Sequence, residues 1–433
     1  MARIWSTELA AQAGQRVELA GWLHRFRQLS NVSFLILRDG QGLAQVGIED
    51  PEQVAELAKL PNETVLRVGG TAVLVAAAPG GVELHQPVVE VVSVPVEPPP
   101  FDLFRPAIKA QLPTILDHAA VALRHPRLRA LHRLAAVSAA GYRHALRARG
   151  FVEIFTPKLV AAATESGANV FPVDYFGQPA YLAQSPQLYK QIMVGVYERV
   201  FEIGPAFRAE PHDTPRHLNE FVSLDFEMGF IDDHTTVMAM LTEVLRGMLE
   251  ALREEASPEL GLLELVLPAV PREIPVIDFA DAQRLIAACT GEDVEGEPDL
   301  APAHERWLGD WARRTHGAEF LFVVGYPMRK RPFYTHPQPH RPAYSNSFDL
   351  LFRGLELVTG GQRLHRHADY LAALAERGLA AAPFSGYLEA FAHGMPPHGG
   401  CALSLERWVA RLVDTPNIRA TRLFPRDLNR LTP

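Results

Sequence analysis

Between residues 95 and 100 the chain reads PVEPPP, and this proline cluster separates two parts that follow different periodicities. Proline fixes φ and removes a backbone donor, so no central strand or helix interior can run through PVEPPPFDLFRP, which reads as a linker. Ahead of it lie short alternating runs: RVELAGWL, VSFLILRD, LAQVGIE, TVLRVGGTAVLV and VELHQPVVEVVSV. Turn signals such as DGQG and PGG separate them, and one helical patch, DPEQVAELAKL, interrupts. About five strands and one helix in so short a span predict a small Greek-key barrel of the OB type. Beyond the prolines, RLRALHRLAAVSAAGYRHALRARG has helical spacing and ends on Gly150, a C-cap signal.

Later segments mix strands (VFEIGPAF, FVSLDFEMGF, FLFVVGYP, FDLLFRGLELV) with helices (HTTVMAMLTEVLRGMLEALREE, HADYLAALAERGL, LSLERWVARLV). Hairpins and helices come in separate runs, not as regular βαβ units, which predicts an α+β domain on an antiparallel sheet. The expected division is a barrel over 1–97, a linker and hinge over 98–125, and the α+β domain over 126–433.

Composition excludes several classes. No apolar run approaches the roughly 20 residues a membrane span needs, and MARIWSTELAAQAGQRVELAGW lacks the apolar core of a signal peptide. Two cysteines, Cys289 and Cys401, make neither a disulfide framework nor a metal-ligand cluster. A cytoplasmic location is expected. The net charge of -8 argues against nonspecific coating of nucleic acid but leaves room for a local footprint.

The chemistry-bearing stretch is FRAEPHDTPRHLNEFVSLDFEMGF, from Phe207 onward. It reads as a long hairpin around Pro211, Asp213, Thr214 and Pro215. Arg208 and Glu210, two apart on the expected first strand, share a face; Phe221, Asp225 and Glu227 share one on the return strand. Arg216 and His217 fall in the loop. Guanidinium, imidazole, ring and carboxylate together suit a nucleotide triphosphate, with charge for phosphates and a ring for the base. Neither GxxxxGK[ST] nor GxGxxG is present, so a nucleotide would be held by side chains from the sheet.

FRAE followed by RHLNEF resembles motif 2 of the class II aminoacyl-tRNA synthetases, in the aspartyl and asparaginyl branch. GFVEIFTPKL resembles motif 1, with its proline at Pro157, and GGCALSLERWVARL resembles motif 3. The resemblance spans nearly the whole chain. It implies an OB-fold anticodon domain before a class II catalytic domain, with ATP-dependent activation of an amino acid and transfer to tRNA. Arg208 is then expected at the α-phosphate, Glu210 at the adenine amino group and Phe221 against its ring. His217, Arg407 and, less directly, Arg216 are expected at the outer phosphates. The resemblance implies Mg²⁺ held by Asp349 and Glu356. Those acids are seven apart, with opposite parity in an unbroken strand, so a turn must intervene. By residue pattern alone they would read as two surface acids. Motif 1 implies a homodimer with Pro157 near its axis. Motif 3 departs from the family's pattern, with Ala402 and Ser404 in place of glycines, which crowds the nucleotide side.

For the amino acid, Lys190 in AQSPQLYKQ and Arg363 in GGQRLH resemble the branch's aspartate-binding lysine and arginine. Asparaginyl enzymes lack the lysine. Gln187, Ser185, Asp225 and Glu165 of TESGA would complete the pocket, the last in a loop similar to one that closes over the substrate. In the barrel, Phe34 and Gln45 match positions that stack on and hydrogen-bond the central anticodon uridine, and Arg27 would serve a base or phosphate. His24 stands where strictly aspartate-tRNA-specific members of the archaeal-like branch tend to have tryptophan, and Pro95 falls near a second such position. This resembles the non-discriminating type, which charges tRNA(Asn) as well as tRNA(Asp) and implies a tRNA-dependent amidotransferase acting next. The alternatives are a discriminating aspartyl enzyme and an asparaginyl one.

Overall fold

The computed structural model describes residues 3–29, 32–161 and 169–432, and the chain forms two compact units, Met1–Leu128 and Arg129–Pro433. The stretch expected as a hinge, 98–125, belongs to the first of them.

In the first unit five strands close into a barrel: β1 (Arg16–Gln28), β2 (Ser33–Arg38), β3 (Leu43–Ile48), β4 (Val65–Leu74) and β5 (Val82–Ser93). Their order is β1-β2-β3-β5-β4, with β3 and β5 parallel and the other pairs antiparallel, as an OB fold requires. Helix α1 (Pro51–Leu57) bridges β3 and β4, started by Pro51 and by Asp50, whose carboxylate accepts from Glu52 N at 3.1 Å. Alternation sends Leu19, Leu35, Leu37, Val46, Val68 and Leu84 into the barrel core. Burying these side chains is worth about 2 kcal/mol each.

A buried polar cluster lies beside this core. Arg38 meets Glu63 in a bidentate pair at 2.7 and 2.8 Å, and Arg124 adds a contact to Glu63 at 3.0 Å. His24, at a bulge in β1 between Leu23 and Arg25, is buried beside them, its Nδ1 3.4 Å from Arg38 Nη1. Arginine has only donors, so Nδ1 serves as an acceptor. Burial, and then Arg38, pull the His24 pKa down to about 4.

Helix α2 (Pro126–Arg147) leads into the second unit, and its buried stripe Leu131, Leu134, Ser138, Tyr142 and Ala145 repeats every three or four residues. Gly150 ends this stretch with φ +79°, in the left-handed region. Then come β6 (Val152–Glu153), α3 (Gln187–Tyr197), β7 (Arg199–Phe207), β8 (Glu220–Gly229) and α4 (His234–Glu255). After these follow β9 (Val276–Asp278), α5 (Pro302–His316), β10 (Phe320–Val324), β11 (Ser347–Phe352), β12 (Leu355–Gln362), β13 (His398–Ser404) and α6 (Leu405–Leu412). The eight strands form one sheet, β9-β10-β11-β12-β13-β8-β7-β6, antiparallel except at the two edges.

Helices α2, α4 and α6 cover one face. Leu134, Leu241, Leu245 and Trp408 meet Phe226, Phe348 and Leu350 there, and Trp408 Nε1 donates to Ser138 Oγ at 2.9 Å. Because Leu224, Phe226 and Met228 of β8 point into this core, Phe221, Ser223, Asp225 and Glu227 must face the other way.

Between β11 and β12 the turn Arg353–Gly354 has φ +48° and +72°, a two-residue hairpin that favours glycine. Helix α5 lies directly on it: a Cβ on Gly309 would come within 2.6 Å of Gly354 Cα.

The buried His24 predicts a pH signature. An imidazole whose folded pKa is depressed binds its proton more tightly in the unfolded chain, so its contribution to stability is lost as pH falls. Denaturant unfolding should show wild type losing stability relative to His24→Gln as pH falls from 6.5 towards about 4. Parallel curves across that window would place the imidazole in water.

Candidate functional site

A cavity on the open face of the sheet has walls from β8, β12, β13, the segment leading into α3 and the 208–219 loop. One end gathers Arg208, Glu210, Arg216, His217, Phe221, Glu356 and Arg407; the other gathers Ser185, Gln187, Asp225, Tyr334 and Arg363. Ala402 and Ser404 line it from β13.

Arg208 and Glu210 reach the cavity by a different route from the one expected. Strand β7 stops at Phe207, so they lie in irregular chain and strand parity does not align them. The alignment comes from Asn219, whose carbonyl accepts from Arg208 N at 2.9 Å and whose Nδ2 donates to Arg208 O at 2.7 Å and Glu210 O at 3.2 Å. The Arg208 guanidinium packs 5.3 Å from the Phe221 ring centre. His217 Nδ1 meets Thr214 Oγ1 at 2.6 Å, and its Nε2 lies 3.7 Å from Glu210. Burial lowers the His217 pKa, helped by Arg407 and Arg216 against Glu210.

At the other end, Lys190 and Arg363 are interleaved with Asp225 and Glu227, all four at most 7 % exposed. Lys190 Nζ lies 2.9 Å from Asp225 and 3.3 Å from Glu227, and donates to Cys401 O at 3.2 Å. Arg363 Nε lies 2.9 Å from Glu227, and Nη2 donates to Gly400 O at 2.9 Å and Gln187 Oε1 at 3.4 Å. Burial alone would discharge Lys190, but the two carboxylates prevail and hold its pKa above the usual lysine value. Lys190 sits beneath the cavity lining, whereas Arg363 and Asp225 are part of it.

Across the β11–β12 hairpin Asp349 stands opposite Thr359 and Glu356 opposite Leu351, and Thr359 links the two acids: it is near Asp349, and its Oγ1 donates to Glu356 Oε1 at 3.1 Å. Burial pushes Asp349 up to about 6, against the pull of Arg331 3.0 Å away and with the push of Glu356. Burial would raise Glu356 too, but Arg407 and Arg216 hold it below the usual range. A buried Asp349 and a half-buried Glu356 that repel each other fit a divalent cation in charge and ligand chemistry. Only Glu356 of the two lines the cavity. Glu165 lies outside the described residues.

On the barrel, Arg27 pairs across strands with Phe34, Phe34 with Gly47 and Ile36 with Gln45, so Arg27, Phe34 and Gln45 share the face opposite the core. Gln45 Nε2 donates to Glu83 Oε1 at 2.7 Å. His24 does not join them, because the bulge buries it against Arg38. Pro95 lies beyond Ser93, the last barrel residue, and is not part of this face either.

Residues 111–428 match the family of class II tRNA synthetases (D, K and N), and residues 17–92 match the OB-fold nucleic acid binding domain. The chain belongs to the class II aminoacyl-tRNA synthetases. The aspartate–tRNA(Asp/Asn) ligase of Thermus thermophilus is 46% identical over the whole of both chains. That of Deinococcus radiodurans is 43% identical over 100% of this chain and 99% of its own. The crystal structure of Pyrococcus horikoshii asparaginyl-tRNA synthetase with asparaginyl-adenylate superposes with a TM-score of 0.93 at 30% identity, covering both chains fully.

This synthetase also carries an acid that sequence reasoning missed. Glu305 on α5 is buried, its two oxygens 2.9 and 3.0 Å from Arg216 Nη2, and Oε2 accepts from Glu356 N at 2.9 Å. Burial raises its pKa, with Arg216 opposing and Glu356 adding. It ties the 208–219 loop to the hairpin that presents Glu356. No local pattern marks it, since it sits in an ordinary amphipathic helix. Glu305→Gln should raise the KM for ATP about tenfold, the loss of one charge-assisted hydrogen bond, while leaving the KM for the amino acid unchanged. Steady-state pyrophosphate exchange tests this, and an unchanged ATP KM would make Glu305 merely structural.

Proposed function

We propose that this class II synthetase is an aspartate–tRNA ligase that activates L-aspartate with ATP and charges both tRNA(Asp) and tRNA(Asn). The observation that carries the amino-acid choice is Lys190, held charged under the same cavity as Arg363. Aspartate differs from asparagine by one negative charge, and Lys190, though paired with Asp225 and Glu227, places a second cation beside the end that Arg363 lines. The full-length similarity to ligases named for tRNA(Asp/Asn) supports the wider tRNA range.

In the first step the aspartate α-carboxylate attacks the α-phosphorus of ATP and pyrophosphate leaves, giving aspartyl-adenylate. The nucleophile is already anionic, so no general base is needed, and catalysis is positioning with charge neutralisation. Arg208 neutralises charge growing on the α-phosphate, Phe221 and Glu210 hold the adenine, and His217, Arg216 and Arg407 take the outer phosphates. Asp349 and Glu356 would hold Mg²⁺, which supplies further neutralisation of the phosphates when bound. Ser185, Gln187, Asp225 and Arg363 orient the amino acid, with Glu165 expected beside them. A hydroxyl of the terminal tRNA ribose then attacks the mixed anhydride carbonyl and AMP leaves.

In the barrel, Phe34 stacks on an anticodon base while Gln45 and Arg27 contribute polar contacts. His24 would influence tRNA choice only through Arg38 and Glu63, and Pro95 through the chain leaving β5. Homodimerisation through the motif 1 segment is supported by Phe155, 84% exposed two residues before Pro157. Among the described residues no helix is long and apolar enough to cross a membrane. We place the enzyme in the cytoplasm, upstream of a tRNA-dependent amidotransferase.

Charging purified tRNA(Asp) and tRNA(Asn) transcripts with labelled aspartate should give comparable yields, both lost in Lys190→Ala. Charging of tRNA(Asp) alone would restrict the range, and charging by asparagine instead would reverse the amino-acid assignment. Phe34→Ala should weaken tRNA charging by the ~1–3 kcal/mol of one stacked base, with aspartate-dependent pyrophosphate exchange intact. Equal losses in both assays would remove Phe34 from the tRNA face.

A further inference from the structure

Behind the amino-acid end of the cavity, Gln191 on α3 is fully buried and has no part in the chemistry above. Its Nε2 lies 3.0 Å from both Tyr370 Oη and His398 Nε2. Its Oε1 lies 3.0 Å from Gln187 Nε2 and 3.1 Å from Tyr387 Oη. An amide offers two protons and two lone pairs, so Gln191 is saturated.

Its orientation follows from the histidine. His398 Nδ1 lies 2.9 Å from the Pro396 carbonyl, which can only accept, so Nδ1 carries the proton. Burial keeps the ring neutral, with its pKa lowered to about 4. His398 Nε2 therefore presents a lone pair, and Gln191 must turn its NH₂ towards it. Tyr370 agrees, because its own proton goes to Leu364 O at 2.8 Å and its oxygen is left to accept. The Gln191 carbonyl then faces Gln187, which must give it an N–H and point its own Oε1 at Arg363, 3.4 Å away. Tyr387 has a single proton to share between Gln191 Oε1 and Tyr370 Oη, so it is the lesser constraint.

We propose that Gln191 is a positioning residue for amino-acid recognition: by coupling Gln187 to the fixed tautomer of His398, it sets which end of the Gln187 amide faces Arg363. This rests on the placement of the amino acid at Gln187 and Arg363 argued above. A terminal amide torsion is broad and nearly two-fold, so an untethered Gln187 turns freely. In the turned state its NH₂ confronts the guanidinium, donor against donor, and the pocket's cation loses its alignment.

The test is aspartate-dependent ATP–pyrophosphate exchange with the full chain, comparing Gln191→Met and Gln191→Glu with wild type. Methionine keeps the shape and removes every hydrogen bond. Glutamate keeps the acceptors but has no N–H for His398. Both should raise the KM for aspartate about tenfold, equivalent to one ordinary hydrogen bond, with the KM for ATP unchanged. An unchanged aspartate KM in both, or aspartate and ATP KM values rising together, overturns the assignment. If Gln191→Met fails to fold, Gln191→Glu decides. An Arg363→Met variant separates the two readings. If that variant loses aspartate use while the Gln191 variants keep a normal KM, only the Gln191 assignment falls. If its aspartate KM is unaffected, the placement of the amino acid falls, and the Gln191 assignment with it.

Discussion

Four buried charges, Lys190 and Arg363 against Asp225 and Glu227, set the terms for the catalytic unit. Each ion taken from water costs several kcal/mol, and only close, hydrogen-bonded partners offset this. Here the partners come from α3, β8 and the residue after β12, and carbonyls of Gly400 and Cys401 on β13 accept from Arg363 and Lys190 as well. Displacing any of these elements would leave a charge buried and unpaired. The arrangement also explains why residue 400 is glycine, since Phe226 O and the Glu227 carboxylate fill the space where a Cβ would go.

At the end of the cavity proposed for the phosphates, three arginines are held in advance by acids. Arg216 is held by Glu305, Arg407 by the carbonyl and carboxylate of Glu356, and Arg331 by Asp349. Preorganised donors need no reorganisation when charge develops, which is the main source of electrostatic catalysis. The close approach of Gly309 to Gly354 brings α5 near enough for Glu305 to reach the loop and the hairpin together.

The barrel solves a different problem. Its core residues make a closed surface, and the opposite parity is free to carry Arg27, Phe34 and Gln45. A single β-bulge at His24 makes a side chain that strand alternation would place with them into a buried neighbour of an ion pair.

What the amino-acid order determined by itself is the set of elements and their faces. The five barrel runs, the helix of 234–255, and the inward and outward parities of β8 follow from hydrophobic period. The family's motifs identify Arg208, Glu210, Arg216, His217, Phe221, Asp225 and Arg407 as cavity residues because each motif is a short local string. Tertiary structure decided what depends on meetings between distant segments. Arg208 and Glu210 are aligned by Asn219 rather than by a strand, Glu305 arrives from a helix between the motifs, and Gln191 takes its orientation from a histidine 207 positions away. Periodicity tells which way a side chain points from its own backbone. It does not tell which charge or lone pair will stand opposite, and in a dry interior that partner fixes protonation and orientation.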